Sequence, residues 1–407
     1  MVSVIVSMAW LSVGEARGAD WPQWRGIERN GSSPEKNLKS QWSSAPKSKW
    51  IFKKAGKGYS GPAIVGGTYY SMGTENSKEA VFALNAESGD LIWSTSIDSI
   101  HRNAWGDGPR ATPTIAGKNL YTISGNGKLV CINRTNGDLV WSKTMKDLGG
   151  KVPNWGYTES VLHDNGHIIC TPGGAKGAIA ALEAETGKVV WQSSDFKDGA
   201  QYSSIIKATI NDVPQYIQRT MKSIVGINPD NGKVLWKTNF PGRTAMIPTP
   251  IVKGNTVYIT GGYGTGCTLI KITPDWKTKE VYFNKNMKNH HGGVVLYKDS
   301  VFGYSDGVGW IMQDLESGEE IWSEKSKLGK GAVTFADGHF YCLDENKGKV
   351  ELIEASKEGY KSKGSFTLSP QSEIRASRGK IWTHPVIVDG KLYLRDQDLV
   401  YCFDISN

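Results

Sequence analysis

Four kinds of side chain in this sequence have the chemistry to grip a ligand. Arg110, with Asp107, Glu159 and Asp306, supplies a planar cation and hard oxygens, the types that hold an acidic cofactor beside a divalent cation. The imidazoles of His290, His291 and His384 are metal ligands or proton carriers by type. Trp105, Trp155, Trp382 and Tyr202 offer flat faces for stacking on a sugar ring or a planar cofactor. Arg110 and Glu159 fall in adjacent repeat units and are expected to form an ion pair. His290 and His291 are read as strand neighbours pointing to opposite faces, so one metal does not take both and no metal site is expected. The glycine-rich run from Thr171 to Gly177 lies between strand-like segments, with no helix N-terminus to cradle phosphate. The sequence contains no Gly-x-Ser-x-Gly elbow.

The elements that must position these residues announce themselves by repetition. Asn136-Gly137-Asp138-Leu139-Val140-Trp141 recurs as Leu84 to Trp93, Leu182 to Trp191, Ile227 to Trp236 and Asp314 to Trp322. In each copy an apolar strand ends in a polar turn, a glycine stands where positive φ is needed, and a tryptophan follows four residues later. The copies are spaced by roughly 40 to 50 residues, the period of stacked repeat architectures. One unit divides into Thr112–Ala116, Leu120–Ser124, Leu129–Asn133 and Leu139–Lys143, apolar or alternating runs separated by turn residues. A four-stranded sheet of this size cannot bury both faces alone, so the units must stack, and radial stacking gives a propeller.

The repeated Gly-x-x-x-Trp signature resembles the tryptophan-docking repeat of the PQQ-like β-propellers, a group that includes quinoprotein alcohol dehydrogenases and BamB. The resemblance covers nearly everything after Asp20. Repeat units at 81–97, 129–145, 179–195, 224–240, 268–284, 310–326 and 349–366, with an eighth beginning at Thr383, predict an all-β, eight-bladed β-propeller of four-stranded antiparallel blades. The last unit reaches Asn407 without its Gly-to-Trp strand, whereas Ser48–Lys54 carries Trp50 with no blade before it. That N-terminal strand is expected to pair with the C-terminal strands and close the ring, leaving no open edge. Trp50, Trp93, Trp141, Trp191, Trp236 and Trp322 are assigned to structural docking. Tyr282 replaces the tryptophan in the fifth blade, and the seventh, ending at Phe366, is expected to have a longer hairpin.

In the propellers this chain resembles, the loops entering each innermost strand surround one mouth of the central channel. That brings Trp105, Asp107, Arg110, Trp155, Glu159, Tyr202, His290, His291, Asp306, Trp382 and His384 to one funnel as ligand candidates. Two functions follow from the resemblance. One is a binding or interaction scaffold for protein or envelope glycan, needing no cofactor. The alternative is a PQQ-dependent dehydrogenase with Ca²⁺, in which Arg110 and Glu159 would meet the cofactor. Calcium takes six to eight oxygens, and carboxylates in these loops are few. The adjacent cysteine pair and long loop insertions of such enzymes are also missing, so the scaffold is preferred and no catalytic residue is assigned.

The remaining sequence sets the context. Residues 1–19 carry an apolar run from Val2 to Val13 and a small-x-small end, read as a signal peptide cut before Asp20. Residues 20–47 are read as an arm packed on the ring and 48–407 as one propeller domain. The first cysteine is Cys131, so a lipid anchor at the cut site is not expected. An extracytoplasmic, periplasmic or secreted monomer is the expectation. Forty-eight glycines and 15 tryptophans suit turns and aromatic packing rather than helices. The net charge of +8 comes mostly from scattered lysines, with no basic stripe or recognition helix to bind nucleic acid. No later apolar stretch approaches the length of a membrane span. Five cysteines, mostly one to a repeat, point to buried thiols rather than a disulfide framework.

Overall fold

The computed structural model describes residues 20–407; the signal peptide read in residues 1–19 lies outside the described residues. Eight sheets are formed, each containing four antiparallel strands, in sequential order in seven of them. Their innermost strands are Ala63–Val65, Thr114–Ala116, Leu162–Asp164, Ile206–Ile210, Ile251–Lys253, Val294–Tyr297, Gly331–Ala336 and Val386–Val388. In blade 8 the outermost strand is Lys47–Phe52, which pairs antiparallel with Leu399–Asp404 and sets Trp50 opposite Cys402. The ring is therefore closed by the N-terminal strand, and the expected eight-bladed propeller is the fold.

Burial explains the sequence of each strand. In blade 2 the third strand, Lys128–Asn133, lies between neighbouring blades and is apolar and buried from Leu129 to Ile132, whereas the outermost, Leu139–Thr144, is half solvated. All five cysteines are buried free thiols. The hairpin of blade 7 runs from Glu354 to Ser362 and is longer than its counterparts, as its sequence implied.

The coupling of glycine to tryptophan has a specific cause. Gly137 closes its turn with φ of +80° and a bond from its N–H to the Asn133 carbonyl at 2.9 Å. The indole of Trp93, from the preceding blade, lies on it so closely that a Cβ would stand 2.8 Å from the ring. Trp93 Nε1 then donates to the Arg134 carbonyl at 3.0 Å. The same step joins Trp50 to Ala86, Trp141 to Ala184, Trp191 to Pro229 and Trp322 to Ser356, and Tyr282 uses its hydroxyl on Leu315. Trp236 differs: its Nε1 turns back to Gln215 Oε1 in its own blade. The next blade's turn is Thr273-Pro274-Asp275-Trp276, which offers no glycine to lie on.

The arm occupies the channel. Trp21 exchanges backbone bonds with Ile64, Ile115 N–H donates to the Pro22 carbonyl, and Phe335 N–H donates to the Gly31 carbonyl. Ser32–Ser33 runs parallel to Phe335 and Ala336 as a fifth strand on blade 7. Between these contacts the chain reverses through Arg25, Gly26, Arg29 and Gly31, all with positive φ. A Cβ on Gly26 would meet the Trp21 ring at 2.9 Å, and one on Gly31 the Arg25 guanidinium at 2.6 Å. Arg25 donates to the Val294 carbonyl in blade 6, and Arg29 to the Ser160 and Val161 carbonyls in blade 3. Two buried arginines thus tie the arm to blades 3 and 6 through carbonyls.

Candidate functional site

Extended backbone sends successive side chains to opposite sides, and this decides which loop residues reach the axis. Thr158 and Ser160 face the cavity, whereas Glu159 between them turns into the blade. There it accepts bonds from Thr171 N at 2.6 Å, Thr171 Oγ1 at 2.8 Å and Gln218 Nε2 at 3.2 Å. Arg110 keeps to its own loop, donating to the Gly106 and Gly108 carbonyls at 2.8 Å each. The expected Arg110–Glu159 ion pair does not form, because one side chain faces the axis and the other the blade interior.

The cavity at the mouth has a volume of about 300 Å³. Eight of the candidates line it: Trp105, Arg110, Trp155, Tyr202, His290, His291, Trp382 and His384. Asp107 instead lies 3.5 Å from Lys57 Nζ and 3.4 Å from Arg102 Nη1. Asp306 is held at 2.6 Å by Lys330 Nζ, a cation that itself lines the cavity. Trp24 of the arm forms the floor, donating from Nε1 to Thr249 Oγ1 at 3.3 Å and standing edge-on to His384 with centroids 4.7 Å apart. The funnel is blind.

His290 and His291 do not diverge as strand neighbours would. They lie in the loop before Val294–Tyr297, where the backbone is irregular, and their ring centroids are 3.7 Å apart. They form the middle of a wall of rings running Tyr263, His290, His291, Trp382, Tyr59, with successive centroids 4.3, 3.7, 4.6 and 4.9 Å apart. Among the described residues no group of three His, Cys, Asp or Glu is arranged to hold a metal ion.

Burial sets the charges. It lowers His290 to about 3, helped by the Lys330 cation, and lowers His384 to about 3 with help from Arg25. His291 is pushed well down by the same cause. All three imidazoles are neutral near pH 7. Lys330 Nζ donates to His290 Nδ1 at 2.8 Å, so the proton of His290 sits on Nε2. That nitrogen is buried and has no hydrogen-bond partner. Glu345 is raised to about 7 by burial and accepts from Trp382 Nε1 at 3.1 Å.

Sequence reasoning missed Tyr59, Tyr263, Glu345, Lys380 and the floor residue Trp24. Tyr59 stands at the same step before an innermost strand as the tryptophans, and the blade-1 entry loop was legible by that rule. Tyr263 and Glu345 come from hairpins between second and third strands, which open on the same face. Nothing in the sequence marks Trp24 as a channel residue.

Similarity to known proteins agrees with this geometry. The BamB crystal structure from Moraxella catarrhalis superposes with TM-score 0.62 at 13% identity, over 88% of this chain and 100% of that one. Quinohemoprotein alcohol dehydrogenase from Comamonas testosteroni superposes with TM-score 0.64 at 12% identity, over 97% of this chain and 82% of that one. At such identities both show the fold alone. In sequence, outer membrane protein assembly factor BamB of Shewanella oneidensis is 21% identical over 362 residues, covering 75% of this chain and 86% of that protein. A Rickettsia conorii protein is 25% identical over 158 residues, and the chain spans only 35% of its length. The family model for outer membrane protein assembly factor BamB matches residues 77–324, more than half of the sequence and most of the blades, and the chain belongs to that family.

Proposed function

We propose that this protein is an interaction scaffold working outside the cytoplasm, which holds a macromolecular partner of the cell envelope at the mouth of its funnel. The observation that carries the reading is the funnel's make-up. A stack of aromatic rings and the cations Arg110 and Lys380 surround a cavity floored by Trp24, while Asp107, Asp306 and Glu159 are engaged elsewhere. Such a surface suits recognition. The protein works as a single closed ring, exported by the leader read in residues 1–19. Membership in a family named for assembly of outer membrane proteins supports a place in the cell envelope.

The donor set does not fit a calcium-held quinone. Calcium asks for six to eight oxygens, but Asp306 is bound to Lys330, Asp107 to Lys57 and Arg102, and Glu159 faces away. Glu345 alone among the carboxylates lines the cavity. The dehydrogenase reading is therefore set aside.

A photo-crosslinking side chain placed at Ala104, exposed beside the funnel, tests the scaffold against one at Glu316 on an opposite-face hairpin. Adducts from envelope material are expected at position 104 and not at 316. Equal capture from both faces, or none from 104, would refute the reading.

A further inference from the structure

We infer that the funnel takes the terminal ring of an acidic polysaccharide, a sugar carrying a carboxylate at the chain end. The inference rests on the binding role proposed above and names its ligand class.

Shape gives the first argument. Trp105 and Trp155, which come from other loops, line the same cavity as the stack from Tyr263 to Tyr59. An aromatic-lined cavity suits a ring, whose C–H surfaces pack on aromatic side chains while its edges find polar groups. A volume of about 300 Å³ holds a ring or two, being at the low end of the roughly 300–1,000 Å³ range for small-ligand pockets. Because Trp24 closes the bottom, a polymer can enter only by its end.

The polar groups give the second. Tyr202 Oη accepts a long bond from Trp155 N at 3.4 Å and keeps its own proton to donate. Glu345, near its midpoint at neutral pH, offers both an acceptor and a donor. Donors and acceptors set among aromatic rings match a polyhydroxylated ring. A peptide end would seek strand edges, and the arm already covers those of blades 1 and 7.

Charge gives the third. Asp306 neutralises Lys330, leaving Arg110 and Lys380 on the wall and Arg378 at the rim, 5.9 Å above the Trp105 ring, against Glu345. Two donors of Arg110 are used on Gly106 and Gly108, and the rest of its fork is free for a carboxylate.

The test is calorimetric titration of the chain from Asp20 onward with digalacturonic acid and, separately, with its uncharged analogue galactobiose. The acid is expected to bind about tenfold tighter, and Arg110→Gln to remove that advantage while leaving the neutral sugar nearly unchanged. Should Arg110→Gln fail to fold, Lys380→Gln on the same wall is expected to reduce the preference. Equal affinity for the two sugars, an undiminished preference in a folded Arg110→Gln variant, or tighter binding of PQQ or of an acidic peptide would overturn the inference. The two readings fail separately. If the acid does not bind but position 104 still captures a partner, the scaffold stands and the ligand is wrong. If the acid binds but position 104 captures nothing, the pocket stands and the scaffold does not.

Discussion

Glu159 shows how a residue chosen for chemistry can serve the fold instead. Burial raises its carboxyl from the ordinary 4.5 to about 7, against the opposing pull of the Thr171 bonds and the Arg29 cation. The folded state therefore binds more proton than the unfolded chain between those values, and this group's contribution to stability falls as pH rises through that window. Glu159→Gln removes the titration while a flipped amide keeps most partners. Measured by thermal melts from pH 5 to 8, the variant should gain on the wild type up to about pH 7, by no more than about 3 kcal/mol. Parallel curves would show that Glu159 does not titrate there. At the cavity, His290 yields a second expectation. Because Lys330 fixes its tautomer by donating to Nδ1, Lys330→Met should release that restraint and raise the imidazole's value toward its ordinary range, readable as an NMR titration. An unchanged His290 would show that burial alone sets it.

At the scale of elements, the docking step is the unit of stability. Trp141 lies over Gly187, where a Cβ would stand 2.7 Å from the ring, and donates to the Ala184 carbonyl at 2.9 Å. Trp141→Ala should cost about 3–5 kcal/mol, and Trp141→Phe about 1 kcal/mol for the lost hydrogen bond plus some packing. Urea denaturation measures both; near-equal costs would mean the hydrogen bond, not the ring, holds the blades together. This periodic device is why the fold was legible in the sequence. One glycine with positive φ and one aromatic, repeated at a fixed interval, specify both the hairpin and its neighbour. Where the device lapses, at Thr273-Pro274-Asp275-Trp276, the sequence showed the lapse but not its consequence, the rotation of Trp236 onto Gln215. The funnel was legible only in part. Position in an entry loop was readable, but side-chain direction depends on local backbone, as Thr158, Glu159 and Ser160 show. The stacking of His290 on His291 depends on a loop read as strand.

For the whole molecule, the arm decides whether the ring has a channel. Residues 20–35 contact innermost strands of blades 1, 2, 6, 7 and 8, and their two guanidiniums satisfy carbonyls of blades 3 and 6. The sequence Trp21 to Gly31 permits this through tight reversals that side chains at Gly26 or Gly31 would block. Ring closure does not depend on it, because Lys47–Phe52 pairs with Leu399–Asp404 beyond the arm. Removing residues 20–33 should therefore leave a closed eight-bladed ring with an open axis and a floorless funnel. The effect should be local and specific. The amides of Ile64, Ile115 and Phe335 lose the acceptors Trp21, Pro22 and Gly31, so their hydrogen exchange should accelerate by at least about tenfold. The amide of Cys131, in a third strand away from the channel, should stay as protected as before. Loss of protection at Cys131 as well would mean that the arm is part of the ring's cooperative core, and that a blind funnel is the only form in which this propeller is stable.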